Sequence, residues 1–416
     1  MWKALLLVIF FCSVVAGQAV EHASILGESQ SVIKEISAMR GLPIQKSVKF
    51  GFKSRKELES IIIEKLDENY EPAEMQVQEK LLRRLGLIPR DYDLRSEIIK
   101  LLTEQIGGFY EPRKGEFYLV DWLSLEEQKP VIAHELMHAL QDQNFDLRRF
   151  EKAFEDNSDK EIAVQALIEG EATIVMFNYM FRASGTDITT VKLPLRALLE
   201  ASGGMREELY PALARAPRAL RESLEFPYFY GAEFVHKVVY NSSWKRIDES
   251  YRDLPDSTEQ IIHPEKFLNR EKPLKVQPRD VSAFLSRDWK KLETQVNGEF
   301  GLYLILAEFL DKERAQASAA GWGGDVYEFY EHKDGTTAFV MSSTWDTEED
   351  AEEFFEAYCE RTTKRYPTAK LVREQKGSRV YSSAEGDILI ELAGRDVFVL
   401  EGVSLSNQEE PSKSCN

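Results

Sequence analysis

The chain is organised around the stretch Val131-Ile-Ala-His-Glu-Leu-Met-His-Ala-Leu-Gln-Asp142, which sets the pattern H-E-x-x-H in an apolar, helix-favouring context. Two histidines four residues apart on a helix lie on one face, with their Cβ atoms roughly 5–6 Å apart. At that separation His134 and His138 can both bind one tetrahedral Zn²⁺ ion, at about 2.0–2.1 Å from each nitrogen. Glu135 follows the first histidine, where its carboxylate can take a proton from water activated by the metal. The pattern predicts a catalytic zinc site with one zinc ion per chain.

A catalytic zinc ion requires a third protein ligand and an open fourth position. Downstream of the motif, a long apolar helix is predicted, and it contains Glu169 and Glu171 on either side of a glycine that permits close helix approach. A carboxylate among apolar residues is costly to bury unless a positive charge meets it. The residue four positions on can brace a histidine ligand, and it is Thr173 for Glu169 but the apolar Val175 for Glu171. We predict Glu169 as the ligand; Glu171, or a ligand elsewhere with both glutamates facing solvent, are the alternatives.

The motif and the downstream glutamate together resemble the gluzincin branch of zinc metallopeptidases, which includes thermolysin. In that family the ligand glutamate opens an E-x-x-x-D pattern, whereas the fifth place here is Thr173. The resemblance implies a zincin-like catalytic domain with a helical lower part, and it covers most of the chain after Lys46. A group of secreted bacterial proteins with gluzincin-like domains looks more similar still, through the stretches Ala133–Gln143, Thr258–Glu265, Gly321–Asp325 and Trp345–Ala351. Only the zinc motif is specific for chemistry.

Gluzincin-like enzymes also use a donor, often histidine or tyrosine, to stabilise the oxyanion that forms when water attacks a carbonyl. His263 is the candidate for this role, because it precedes Pro264 in a loop-like setting. Tyr230 is the second candidate, in an aromatic run that is predicted to form a turn entering a helix. A purely structural role for His263 is the third interpretation.

The helix that carries the motif has a possible start on either side of a proline. Ser124 and Glu127 form a capping-box pattern, but Pro130 interrupts the run that follows. Since proline is tolerated in the first turn of a helix, the sequence predicts that this helix begins at Pro130. At the other end, Gln141 lies on the histidine face and Asp142 on the face of the catalytic glutamate. Either could support the site, or both could simply form a polar helix end.

The segments before the motif predict an α+β arrangement. Val48–Phe52 alternates like a strand, and helices are predicted over Pro72–Leu85 and Leu94–Gln105. The β-rich run Glu116–Val120 has two interpretations. It could form the rim of a cleft and pair with an extended substrate backbone, or it could be an interior strand of the sheet.

The first residues have the features of a secretory signal peptide. A short basic start is followed by the apolar run Ala4–Ala16 and then by small residues, so we predict a signal peptide over residues 1–19 and a secreted or periplasmic protein. An uncleaved N-terminal anchor is the alternative. No later apolar run approaches membrane-spanning length. Residues 20–44 are predicted to be a loose lead-in or a short pro-segment.

Composition excludes some classes of function. The 416 residues carry a net charge of −18, which argues against broad nucleic-acid binding because that needs a basic surface. The apolar content of 43 % is ordinary for a globular protein. Of the three cysteines, Cys12 would leave with the signal peptide, and Cys359 and Cys415 could pair in an oxidising compartment or stay unpaired.

The length suggests two domains. We predict a catalytic domain over residues 20–315, a small C-terminal α+β module over 316–403 that supports the catalytic part or binds substrate, and a polar tail over 404–416. Residues 269–279 are charged and contain prolines, as in a linker or a long loop. The predicted helices and strands beyond them are the helices Gly298–Leu310 and Thr347–Arg365 and the strands Val326–Glu331, Thr337–Ser342, Arg379–Ser383, Asp387–Leu392 and Asp396–Leu400.

The residues and the resemblance together predict a secreted zinc-dependent endopeptidase that acts on a peptide or protein substrate. His134, His138 and Glu169 would hold Zn²⁺, and Glu135 would act as general base. One alternative is a non-catalytic binding or scaffold protein stabilised by zinc; Glu135 argues against it, because a purely structural site would usually close with a fourth ligand. The other is a zinc hydrolase of a non-peptide bond. The sequence specifies neither the substrate nor the oligomeric state.

Overall fold

The computed structural model describes residues 8–9, 22–150, 153–154, 156–201 and 210–405. Helices and strands are both abundant, which confirms the α+β class. The chain divides into two compact units, of which unit 1 is Met1–Met75 with Asp91–Lys272 and unit 2 is Gln76–Arg90 with Pro273–Asn416. Apart from Val8–Ile9, the predicted signal peptide lies outside the described residues, as do Cys12 and Cys415.

Unit 1 holds most of the helices, and the sequence accounts for many of their ends. The helices are α1 (His22–Arg40), α2 (Arg55–Asn69), α3 (Pro72–Leu85, which continues into unit 2), α4 (Leu94–Gln105), α5 (Leu125–Phe145), α6 (Ser158–Phe181), α7 (Leu195–Ala201), α8 (Pro211–Arg215), α9 (Arg218–Asn241), α10 (Trp244–Ser250), α11 (Thr258–Ile262) and α12 (Pro264–Leu268). Short 3₁₀ helices lie at Leu147–Phe150, Arg182–Ser184 and Ile188–Thr190.

Within the described residues, the sheet of unit 1 has four strands: β1 (Val8–Ile9), β2 (Lys49–Lys53), β3 (Ile106–Glu111) and β4 (Glu116–Val120). Their order is β1-β3-β4-β2, with β2 parallel to β4 and the other neighbours antiparallel. The run Glu116–Val120 is therefore an interior strand, as the second interpretation had it. On β3, a Cβ added to Gly108 would lie 2.8 Å from a methyl group of Val131 on α5, so this glycine lets the motif helix pack directly against the strand.

Helix α1 corrects the prediction of a loose lead-in at residues 20–44, and a pro-segment there stays a prediction. Val32 and Ile36 on α1 are fully buried, and they belong to the same apolar cluster as Val131, Leu136 and Leu140 on α5. The prediction of a loose segment was wrong because the apolar side chains of α1 are few and find their partners in elements far along the chain, α5 among them.

Helix α5 begins earlier than predicted, at Leu125 rather than Pro130. The Ser124 side chain accepts from the Glu127 backbone N–H and the Glu127 side chain accepts from the Ser124 backbone, so the capping box is complete. Pro130 then lies inside the helix, where it removes one backbone donor. Helix α9 likewise runs straight through Pro227, so the aromatic run is helical and not a turn.

Unit 2 is built on one antiparallel sheet, which has seven strands in the part of the chain that the structure describes, in the order β5-β6-β7-β11-β10-β9-β8. Helix α15 packs against its central strands, and the predicted strands and helices of this region are all present. The elements are β5 (Trp289–Gln295), α13 (Gly298–Ala307), α14 (Lys312–Ala319), β6 (Trp322–His332), β7 (Thr337–Trp345), α15 (Glu348–Arg365), β8 (Lys370–Gln375), β9 (Ser378–Ser383), β10 (Gly386–Ala393) and β11 (Asp396–Val403).

The division at Lys272/Pro273 differs from the predicted boundary at 315/316. The reason is that β5 pairs with β6, so the segment around residues 289–295 belongs to the C-terminal sheet. Cys359 lies buried on α15 as a free thiol. Within the described residues, no helix combines the length and apolarity needed to span a membrane.

Candidate metal centre

Three side chains from two helices meet in the interior of unit 1. The Nε2 atoms of His134 and His138 on α5 lie 3.1 Å and 3.3 Å from Oε2 of Glu169 on α6. All three side chains are buried. Two ligands that each lie about 2.0–2.1 Å from a tetrahedral ion are about 3.3 Å apart, so this spacing is that of ligands around a single zinc ion. The structure thus brings together the three residues that the sequence predicts as ligands.

Several polar atoms of this cluster are buried without a hydrogen-bond partner among the described residues. They are both carboxylate oxygens of Glu135, Nε2 of His138 and Oε1 of Glu169. Buried polar atoms are normally paired, because an unpaired one costs about 1–3 kcal/mol. A divalent cation would satisfy the imidazole nitrogen and the carboxylate together, so the residues present fit zinc.

Burial and mutual attraction shift the pKa values of these groups in opposite directions. Burial lowers the pKa of His134 to about 4. Burial alone would raise the pKa of Glu169 and lower that of His138, but their attraction outweighs it, giving about 2 for Glu169 and about 9 for His138. Without a metal, a proton on His138 supplies the positive charge that Glu169 needs. A bound cation would take over that charge.

Glu135 lies beside the triad, which is formed by His134, His138 and Glu169. Its side chain is fully buried, and burial raises its pKa to about 8. The charge of His138 and the backbone of Tyr110 oppose this rise, and neither offsets it. In the metal-free protein, a carboxyl group with a pKa of about 8 can both accept and return a proton close to physiological pH.

Glu171 has different partners from Glu169. Its Oε1 accepts from the Arg40 guanidinium, while its Oε2 accepts from the Gln141 amide at 2.8 Å and from the Tyr251 hydroxyl. The carboxylate is thereby neutralised within the protein. Of the two glutamates, Glu169 faces the histidines and Glu171 faces Arg40.

The predicted supporting contacts are distributed differently from the expectation. The Thr173 hydroxyl is buried without a hydrogen-bond partner among the described residues, so it does not brace a histidine there. Gln141 does, because its Oε1 lies 2.7 Å from Nδ1 of His138. Asp142 accepts from the Tyr110 hydroxyl at 2.9 Å and from the Leu147 backbone at 3.1 Å, and so ties the end of α5 to its surroundings instead.

The close approach predicted at the glycine between the two glutamates is present. A Cβ on Gly170 would lie 2.1 Å from the backbone of Gly231 on α9, and a Cβ on Gly231 would lie 2.1 Å from the carbonyl oxygen of Ala166. Both distances are far inside van der Waals contact. The crossing of α6 and α9 therefore requires glycine on both helices, and it brings the aromatic run of α9 next to the triad.

His263 lies between α11 and α12, with Nδ1 3.7 Å from the Glu265 carboxylate. Thr258, at the start of α11, bonds to Asp159 near the start of α6. The role of His263 as an oxyanion donor stays a prediction.

The ring of Tyr228, two residues before the second candidate Tyr230, lies beside His134. The Tyr228 ring centroid lies 6.1 Å from that of His134, and Tyr228 is buried. Tyr230 instead stacks on Phe226 and lies under the Arg196 guanidinium. In sequence the two tyrosines differ only by two positions in an aromatic run, and only the α6–α9 crossing separates their roles.

Sequence reasoning also missed the residues that surround Glu171. Arg40 and Tyr251 lie far from the motif in sequence, and both are buried. Neither belongs to a recognisable pattern. A signal was available for Glu171 alone, since a second carboxylate in an apolar helix needs a cation somewhere in the fold.

Comparisons with known proteins concern both parts of the chain. Residues 287–410 match the model of a domain of unknown function, DUF8575, which is less than half of the chain. No curated protein sequence is significantly similar to the chain. A crystal structure of a protein from Chloroflexus aurantiacus, described as a proposed hydrolase with a novel fold, aligns with 60 % of this chain and 91 % of its own. The sequence identity is 19 % and the TM-score 0.37, a similarity too low to indicate a common fold.

Proposed function

We propose that this protein is a secreted, zinc-dependent endopeptidase of gluzincin type. The observation that supports this most strongly is the spacing of the three ligand atoms, 3.1 Å and 3.3 Å, next to a buried carboxylate without a partner among the described residues. His134, His138 and Glu169 would hold Zn²⁺, which when bound would polarise water and the substrate carbonyl. The N-terminal sequence supports export.

Two side chains near the triad have further roles in the proposed reaction, one in proton transfer and one in stabilising the oxyanion. Glu135 takes a proton from the attacking water and delivers it to the departing amine; its buried side chain follows His134 in the chain, and its oxygens have no hydrogen-bond partner among the described residues. Tyr228 is the proposed donor to the oxyanion, since its ring lies beside His134; His263 is the alternative donor that the sequence offers.

Strand β3 supports a peptide substrate rather than another acyl compound. It packs on α5 through Gly108, and its outer edge pairs antiparallel with Val8–Ile9, a segment of this same chain in extended conformation. An edge that accepts one extended backbone can accept another, with main-chain hydrogen bonds that do not depend on side-chain identity.

The test is a peptide-library digestion by the wild type and by Glu135→Gln, with zinc content measured on both. We expect about one zinc per chain in each protein, cleavage by the wild type, and a loss of at least about 100-fold in Glu135→Gln because proton transfer is lost. Glu126→Gln is the matched control: the same substitution on the same helix, at a side chain that is 80 % exposed.

A wild-type chain that folds without binding zinc would exclude the proposal. Zinc binding with no peptide cleavage, but with hydrolysis of a model ester that depends on Glu135, would favour a hydrolase of non-peptide bonds. Full activity in Glu135→Gln would assign the base to another residue.

A further inference from the structure

The Gln141 side chain has one orientation that its neighbours allow. Its Nε2 lies 2.9 Å from the carbonyl oxygen of Ile168, 2.8 Å from Oε2 of Glu171 and 2.9 Å from the Tyr251 hydroxyl. The carbonyl and the carboxylate can only accept hydrogen bonds, so the amide NH₂ must face them. Gln141 Oε1 therefore faces His138, 2.7 Å from Nδ1.

This orientation determines which nitrogen of His138 carries a proton. An amide oxygen can only accept, so Nδ1 of His138 must be the donor. The proton on Nδ1 leaves the other nitrogen, Nε2, as the one that can bind a metal, and Nε2 is the atom that faces Glu169. Gln141 thus holds both the ring orientation and the tautomer that a metal requires.

Gln141 is held in turn by a buried ion pair. Glu171 is fully buried, and the Arg40 guanidinium that neutralises it is 2 % exposed. Arg40 also pairs with Asp248 and lies 4.5 Å from the centre of the Trp244 ring, so it is fixed on two sides. Because Arg40 is the last residue of α1, the N-terminal helix closes this chain of contacts.

We propose that Gln141 is a positioning residue for His138, and that the Arg40–Glu171 pair holds it in place, so that helix α1 is a permanent part of the metal centre. The inference rests on the proposed zinc site and adds the device that orients one of its ligands. Removal of α1 by processing would leave Glu171 as a buried, uncompensated charge and would release Gln141.

The direct test compares Gln141→Met with Gln128→Met. Gln128 is a matched control, since it is also buried on α5 and its amide also donates to two carbonyl oxygens, of Val120 and Leu123, but it has no contact with a histidine. Zinc affinity, measured by competition with a chelator, is expected to fall about 10–100-fold in Gln141→Met and to stay within about twofold of wild type in Gln128→Met. Equal losses in both variants, or no loss in Gln141→Met, would overturn the proposal.

A charge exchange separates positioning from packing. In Gln141→Glu with Glu171→Gln, a carboxylate at position 141 still accepts from Nδ1 of His138, while the amide at 171 can still donate to it. We expect this double variant to bind zinc more tightly than Gln141→Glu alone, in which two carboxylates face each other. Arg40→Met should weaken zinc binding in the same sense as Gln141→Met. The proposal would be contradicted if the double variant bound zinc no more tightly than Gln141→Glu alone, or if Arg40→Met kept the wild-type affinity for zinc.

A spectroscopic measurement on the wild type tests the inference without any variant. In ¹⁵N-labelled protein we expect a slowly exchanging proton on Nδ1 of His138, both in the metal-free and in the zinc-loaded chain. A His138 whose Nδ1 carries no such proton would overturn the proposal. If the wild type binds no zinc, the proposed function fails, while the Nδ1 proton of the metal-free chain still decides whether Gln141 orients this ring.

Discussion

Each unit of this protein contains a fully buried carboxylate, Glu135 in unit 1 and Glu401 in unit 2, and the two differ in their hydrogen-bond partners. In unit 2, Glu401 accepts from the Tyr358 hydroxyl at 2.6 Å, the Arg361 guanidinium at 2.5 Å and the Tyr366 hydroxyl at 3.2 Å. In unit 1, neither oxygen of Glu135 has a hydrogen-bond partner among the described residues. The Glu401 carboxylate is hydrogen-bonded and paired with a positive charge within the protein, as buried structural groups usually are. The Glu135 carboxylate is left available, as expected of a group whose partner is a substrate or a reacting water.

The pKa values follow the same contrast. Burial alone would raise the pKa of Glu401, but the Arg361 charge outweighs it and the pKa lies below its usual value. Burial raises the pKa of Glu135 to about 8, and nothing nearby reverses the rise. Of these two carboxylates, Glu401 has its counter-charge beside it, whereas the pKa of Glu135 stays raised.

The largest effect is expected from the same substitution made at both positions. Glu401→Gln should destabilise unit 2 by about 3–5 kcal/mol, because it leaves Arg361 as a buried charge without its partner. Glu135→Gln should cost the metal-free unit 1 less than about 1 kcal/mol, or should stabilise it, because burial disfavours the ionised carboxylate and its oxygens have no hydrogen-bond partner among the described residues. Hydrogen exchange followed by mass spectrometry measures both units in one experiment. A comparable loss in both variants would show that Glu135 also has a structural role.

Zinc should stabilise one unit selectively. At a free concentration about 1,000 times the dissociation constant, a ligand that binds only the folded state adds about 4 kcal/mol to the free energy of unfolding. We expect this gain for the hydrogen-exchange protection of α5 and α6 and no change for the sheet of unit 2. The measurement is exchange with zinc and with a chelator. Protection that rises in unit 2 instead would place the metal elsewhere.

Alanine substitutions of the two glutamates of α6, Glu169 and Glu171, should reduce zinc affinity to different degrees. Glu169→Ala removes a ligand and is expected to cause the greater loss of zinc affinity. Glu171→Ala acts only through Gln141 and should cost about 10–100-fold. Titration with a chelating competitor measures both. The reverse order would make Glu171 the ligand.

The smallest effects concern pH, and their signs are opposite in the two units. Glu401 has a lowered pKa, so its contribution to the stability of unit 2 is present above its unfolded value, about 4.5, and is lost as pH falls through the folded value. Glu135 has a raised pKa, so its contribution to metal-free unit 1 is present below about 4.5 and is lost as the pH rises through about 8. The part of the pH dependence of the unfolding free energy that is due to each glutamate should vanish in the corresponding glutamine variant. Unfolding measured between pH 3 and 9 tests this. A slope of the same sign in both units would contradict the contrast.

Features of the fold that depend on neighbouring residues could be predicted well. Helices α3 and α4 have the predicted ends, and the hairpin of β10 and β11 turns at Gly394 as expected, because caps, turns and side-chain periodicity act within a few residues. Predictions that needed a distant partner did less well. The segment that became α1 was predicted to be a loose lead-in, and β5 was placed in the wrong domain, since each is stabilised by an element far along the chain.

The sequence by itself determined the two histidines and the glutamate between them, because a spacing of four residues on a helix puts two imidazoles on one face whatever surrounds the helix. It also favoured Glu169 as the third ligand, with Glu171 or a ligand elsewhere as the alternatives. Only the tertiary structure decided that Glu169 meets the histidines while Glu171 meets Arg40, that the Tyr228 ring lies beside His134, and that the Gln141 side chain contacts His138. These choices depend on the crossing of α6 with α9 and on the packing of α1. They are contacts between segments far apart in the chain, which short-range pattern and spacing do not encode.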